Sequence, residues 1–164
     1  MAAPPPGMSA SEPSPLHDFA GRVAAVDWDA YARPDGIDAA AVRDALAQAL
    51  HAHDRSSSER AYRAVLQAVG DDRAGSYCAV AVAVLPFLGE LMRHGDSWPR
   101  STALEAFVDL ALSFEPDAGQ QALAAELARQ ARALRPVLEA IAAQGGADAV
   151  TAHQALLGLE PGPD

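Results

Sequence analysis

Apolar residues recur along this chain at spacings of three and four, in runs separated by short polar turns, which is the period of amphipathic helices. Val42, Leu46, Ala49 and Leu50 form one such stripe after Asp38, and predict a helix over 38–53 with Asp38 as its cap. Tyr62, Val65, Leu66 and Val69 form the next, opened by Ser56 or Ser57 and closed by Gly70, which predicts a helix over 57–69. From Ser76 to His94 the chain is apolar nearly all round, through Tyr77, Val80, Val84, Leu85, Phe87, Leu88 and Leu91. A helix of that kind must be buried between neighbours. The fourth stripe, Leu104, Phe107, Val108, Ala111 and Leu112, predicts a helix over 99–114 with Pro99 in its first turn. The fifth, over 117–144, carries Leu123, Leu127, Leu134, Leu138 and Ile141, and Pro136 must kink it or split it in two. Gly145-Gly146 then breaks the chain before a last short helix, 148–157, suited to capping the open end of a stack.

The ends read differently. Residues 1–15, MAAPPPGMSASEPSP, predict a disordered tail, since they lack the basic start and apolar core of a signal peptide and their prolines resist helix formation. Residues 159–164 predict a second tail, leaving one domain over 16–158. Leu16, Phe19, Val23 and Val26 fall at helical spacing and predict a docking helix. After it, Trp28 and Tyr31 precede a loop marked by Pro34 and Gly36; they are read as anchors pinning this segment to the helical body, or, if exposed, as a binding hot spot.

Composition narrows the class. Alanine, leucine and valine dominate the apolar half and aromatics are 5% of the chain, which favours close-packed helices, so the expected fold class is all-α. The single Cys78 excludes a disulfide framework and is expected to be a small core residue. The longest uncharged apolar run, 78–88, is far short of the ~20 residues of a membrane span, and a cytoplasmic location is expected. The formal charge of −10 disfavours nucleic acid and anionic membranes as partners and would steer a basic protein to the surface. It also serves simply to keep an alanine-rich protein soluble.

Candidate chemistry is sparse. His51 and His53 have metal-ligand types, but positions i and i+2 point about 200° apart on a helix. Arg55 to Glu59 reads as a capping segment, not a nucleophile motif, and Gly145-Gly146 lacks the lysine and strand of a phosphate loop. No catalytic, cofactor or metal residues are assigned, and no cofactor is expected. The loop with Asp71, Asp72 and Arg73 and the turn with Asp96 and Trp98 are the remaining candidate contacts for a protein partner. Trp98 is read as a hydrophobic staple packed down before its helix, or as an interface anchor.

The segment Ala83-Val84-Leu85-Pro86-Phe87-Leu88, with Glu90-Leu91, the turn Gly95-Asp96, Arg100 and the run from Ala103 to Leu110, resembles a HEAT repeat. In that motif a proline bends the first helix, an aspartate sits in the turn and an arginine opens the second helix. Together with Asp27-Trp28 and Gly75-Ser76-Tyr77, the stretch from about Trp28 to Phe114 is similar to a group of small HEAT-like proteins of GC-rich bacteria, some of them thought to be immunity proteins that neutralise polymorphic toxins. Where that group has a histidine–glutamine pair before the glycine, this chain has Arg73-Ala74, so no role is carried over to those two positions. The resemblance implies a short α-solenoid or a compact bundle of antiparallel helix pairs. It also implies a non-catalytic protein-binding module, with a basic toxin domain as partner. The alternatives are a scaffold or adaptor subunit, marked by an exposed hydrophobic face on an acidic remainder, and an enzyme with an unfamiliar site, for which no residues speak.

Overall fold

The computed structural model describes residues 13–160; most of both expected tails lies outside the described residues. The fold is all-α, with eight α-helices and one very small sheet among the described residues. Helix α1 spans Phe19–Ala25, α2 Ala39–Leu50, α3 Arg55–Val69, α4 Val80–His94, α5 Ser97–Val108, α6 Gln121–Ala133, α7 Arg135–Gln144 and α8 Ala147–Gly158. Strands β1 (Gly70–Asp71), β2 (Ser76–Tyr77) and β3 (Glu115–Pro116) form the sheet.

Short turns pair the helices. Helices α2 and α3, α4 and α5, and α7 and α8 form hairpins, and the hairpins stack through α3 on α5, α4 on α6 and α5 on α8. Local chemistry sets the turns. Asp38 caps α2 by accepting the Ala41 N–H at 2.8 Å, as expected. For α3 the cap is Asp54, not Ser56 or Ser57: Asp54 accepts the Ser57 N–H, and the Ser57 hydroxyl accepts the Asp54 N–H in a capping box. Gly145 and Gly146 both have positive φ, 74° and 85°, which lets the chain reverse between α7 and α8 in two residues.

Three helices depart most from their expected spans. The third helix begins at Val80, not at Ser76, because Ser76 and Tyr77 are drawn into the sheet, antiparallel to β1 and parallel to β3. The fourth starts at Ser97 and is α-helical to Val108; Asp109–Ser113 is a π-turn, closed by the Phe114 N–H on the Asp109 carbonyl at 2.8 Å. The fifth is split, with α6 ending at Ala133 and α7 starting at Arg135. Pro136 stands in the first turn of α7, where its missing N–H leaves no gap.

Gly70 is required where it stands. A Cβ there would collide with the Ser76 carbonyl oxygen across the β1–β2 pair, so only glycine lets the strands close.

The core runs through the middle of the stack. Val84, Leu85, Leu88, Phe107 and Leu110 are all buried, as their stripes predict. Trp28 is 1% exposed and its indole N–H donates to the Val23 carbonyl at 2.8 Å, so it is an anchor and not a binding hot spot. Its ring lies 6.0 Å from that of Phe87, which meets Phe19 edge-on at 5.5 Å. This aromatic cluster fixes the expected docking helix α1 against α4, aided by Arg22 paired to Glu90 at 2.7 Å. At the other end Leu159 packs on the core and Glu160 pairs with Arg135 at 2.9 Å. No helix among the described residues is long and apolar enough to cross a membrane.

Candidate functional site

The loop joining α3 to α4 carries the sequence-predicted residues Asp71, Asp72 and Arg73, all exposed. It borders a cleft of about 540 Å³. Two further carboxylates line this cleft, Asp35 from the loop before α2 and Asp117 just after β3. The sheet makes this gathering possible: by pairing β2 with both β1 and β3 it brings the α3–α4 loop against the start of α6, some forty residues later in the chain.

Each carboxylate has its own task. Asp71 Oδ1 accepts the N–H groups of Arg73 (2.9 Å) and Ala74 (3.1 Å), an arrangement that shapes the loop. Asp117 accepts a hydrogen bond from the Cys78 thiol at 3.2 Å. Burial, followed by the hydrogen bond to Asp117 and the charges of Asp117 and Asp35, pushes the Cys78 thiol up to about 12. Cys78 is therefore the small core residue expected, and it stays a thiol at neutral pH, without the thiolate that nucleophilic or metal chemistry needs.

Negative potential extends beyond the cleft. Tyr62 on α3 donates a hydrogen bond to Asp109 Oδ2 in the π-turn. Its pKa is raised above the ordinary tyrosine range by burial first, then by that hydrogen bond, and then by the charges of Asp109, Glu105 and Asp72. Glu105 is likewise raised, by burial and then by Asp148, Asp109 and Glu59. Two of these acids have cationic partners: Arg55 pairs with Glu59 at 3.0 Å, and Arg100 with Asp148 at 3.1 Å. Among the described residues Asp35, Asp71, Asp72, Asp117, Glu105 and Asp109 have no Arg or His nitrogen within salt-bridge distance. The result is an acidic band made of the four cleft carboxylates with Glu105 on α5 and Asp109 after it; α3 adds none, its exposed charges being Arg55, Arg60 and Arg63 beside the paired Glu59, and Arg55 opposes the rise at Glu105.

Tyr62 gives this band a measurable signature. A tyrosine whose folded pKa lies above its unfolded value of about 10 stabilises the native state fully below that pH, and the contribution is lost as pH rises. Stability should therefore fall as pH climbs from about 10, and Tyr62→Phe should flatten that part of the profile in denaturant melts at successive pH values. An identical slope in the variant would mean that Tyr62 ionises as in the unfolded chain.

The other predicted contacts lie elsewhere. Asp96 and Trp98 sit at the opposite end of α4, a helix ~22 Å long at 1.5 Å per residue, so they do not join the Asp71–Asp72 patch. Asp96 is the N-cap residue of α5, and its carbonyl accepts the Arg100 N–H at 3.0 Å. Trp98 is 38% exposed, so it is not packed down as a staple; its carbonyl takes the Thr102 hydroxyl, which in turn meets Ser58 in a buried pair at 2.7 Å. Tyr31 is half-buried against the core beside Trp28 and contributes nothing to the cleft.

Asp35, Asp117, Glu105 and Asp109 were not singled out from the sequence. Asp35-Gly36 and Pro116-Asp117 carry the turn residues that bring loops to a surface, which was the available signal for two of them. Tyr62 was assigned to a purely apolar stripe, and its hydroxyl partner 47 residues away has no local mark. Among the described residues no three His, Cys, Asp or Glu side chains converge to hold a metal ion. Comparison with protein families, curated proteins and solved structures finds no match to this chain.

Proposed function

We propose that this protein acts by stoichiometric, non-catalytic binding of a basic protein through the acidic band, in the manner of an immunity protein that covers a toxin's working surface. The observation that carries this reading is a set of six carboxylates without a salt-bridge partner among the described residues, four around the cleft and two, Glu105 and Asp109, on α5 and in the π-turn after it. The HEAT-like pattern of residues 83–110 and the net charge of −10 agree with it. Catalysis is no part of the proposal: the cysteine is held as a thiol by burial and its hydrogen bond to Asp117.

The test begins with co-purification from the native cell, followed by association kinetics with the captured protein. Raising salt from about 0.05 to 0.5 M shortens the screening length from roughly 14 to 4 Å and should slow association several-fold or more. Asp72→Lys should slow it as well. Asp72 is the better probe than Asp71, because replacing Asp71 also removes the acceptor that shapes the loop. An association rate indifferent to salt and to Asp72→Lys rejects the acidic band as the binding face. Turnover of a substrate by the purified protein rejects the whole reading.

A further inference from the structure

Helix α6 is lightly held. Of its thirteen residues only Leu127 and Ala131 are buried, against nine of the fifteen in α4 and six of the twelve in α5. Elsewhere side chains tie one helix to the next: Arg22 on α1 to Glu90 on α4, Ser58 on α3 to Thr102 on α5, and Arg100 on α5 to Asp148 on α8. Among the described residues α6 has no such tie. Its side-chain hydrogen bonds run from Arg129 and Gln130 to Glu126, at 2.9 and 3.0 Å, and stay within the helix.

The bond to Glu126 also fixes how Gln130 stands. A carboxylate accepts and an amide nitrogen donates, so the nitrogen must face Glu126, which leaves Oε1 as the free end. That oxygen is buried and meets no donor. An acceptor buried without a partner favours any state that returns it to water. Both ends of α6 are built to give. Before it, Gly119 has φ of 84° with open space around it, and Gln120 makes no side-chain cap. After it, Leu134 ends α6 and opens α7. A groove of about 310 Å³, lined by Leu85, Pro86, Gln130 and Leu134 among others, already parts α6 from α4.

We infer that α6 is a lid on α4, which undocks as a unit between Gly119 and Leu134 while the other helices stay folded. Opening gives up little apolar burial, breaks no side-chain link to another helix and returns Gln130 Oε1 to water. It uncovers α4 around Leu85 and Pro86. Asp117 and β3 stay in place, because they precede Gly119 and the Asp117 N–H is held by the Tyr77 carbonyl at 3.1 Å. The acidic cleft therefore keeps its walls, and the lid is independent of the proposed binding through it.

Hydrogen exchange of the full chain, followed by mass spectrometry at rising urea below the unfolding transition, tests this. Amides of residues 125–133 should exchange together and at least about tenfold faster than those of the middle of α4 and α5, through an opening that urea hardly promotes, since it exposes little surface. Gln130→Leu removes the orphaned acceptor and should slow exchange across α6 by about threefold or more. Leu127→Ala should speed it by about tenfold or more while its urea dependence stays small. Residues 125–133 as protected as α4, with the same steep urea dependence, would show that α6 opens only with the whole fold. Exchange unchanged or faster in Gln130→Leu would show that the buried oxygen does not favour opening. Either result overturns the inference.

Discussion

Replacing Trp28 with alanine should cost about 3–5 kcal/mol of stability, the range for emptying a buried large aromatic site. Three losses combine. The indole is 1% exposed, so its removal leaves a cavity between α1, α2 and α4. The Val23 carbonyl loses its 2.8 Å donor and keeps only the longer bond from the Val26 N–H at 3.4 Å. The ring also supports Phe87, which in turn holds Phe19 and with it α1. Since a domain of this size has roughly 5–15 kcal/mol in total, the variant should be substantially unfolded in moderate urea. Trp28→Phe should lose less, because an aromatic contact survives, although the hydrogen bond goes and the smaller ring leaves part of the site unfilled. Equilibrium urea melts measure both, and a loss below about 1 kcal/mol for the alanine variant would show that α1 detaches freely.

Leu88→Ala should cost about 2–5 kcal/mol, toward the upper end. Leu88 is fully buried in the middle of α4, the helix that touches α3, α5, α6 and α7, so no neighbour can relax into the space without disturbing a second interface. Leu157→Ala is the control: at 75% exposure the same change should stay within about 0.5 kcal/mol. Similar losses at both positions would place α4 at the periphery of the stack.

The helices were legible because their signals are local. Stripes at 3.6-residue spacing, the Asp38 cap and the Gly145-Gly146 break each act within a turn or two of themselves. Pro136 was known to interrupt its helix, and the outcome, a clean split at Leu134, depends on α7 packing against α8. Ser76 and Tyr77 were misassigned to α4 for the converse reason. Tyr77 continues the apolar run, and what makes it a strand is pairing with Gly70 on one side and, on the other, with Pro116, 39 positions on, which no local pattern contains. The site divides along the same line. Asp71 and Asp72 stand out as a pair in a glycine-bounded loop, while Asp35 and Asp117 reach them through tertiary structure alone. Trp28 and Trp98 show the limit of residue type: the same side chain is sealed in one place and open in the other, according to whether α4 lies over it.

The little sheet bears on the order in which the chain assembles. Pairing β1 with β2 closes a short loop, but β3 must find β2 across the intervening α4–α5 hairpin. Closing that longer segment early would cost more chain entropy than two residues of ladder return. The β2–β3 pairing is therefore expected to close after α4 and α5 have docked. The mouth of the acidic cleft then forms only on a finished scaffold, so a partially folded or truncated chain would have its carboxylates but not their arrangement.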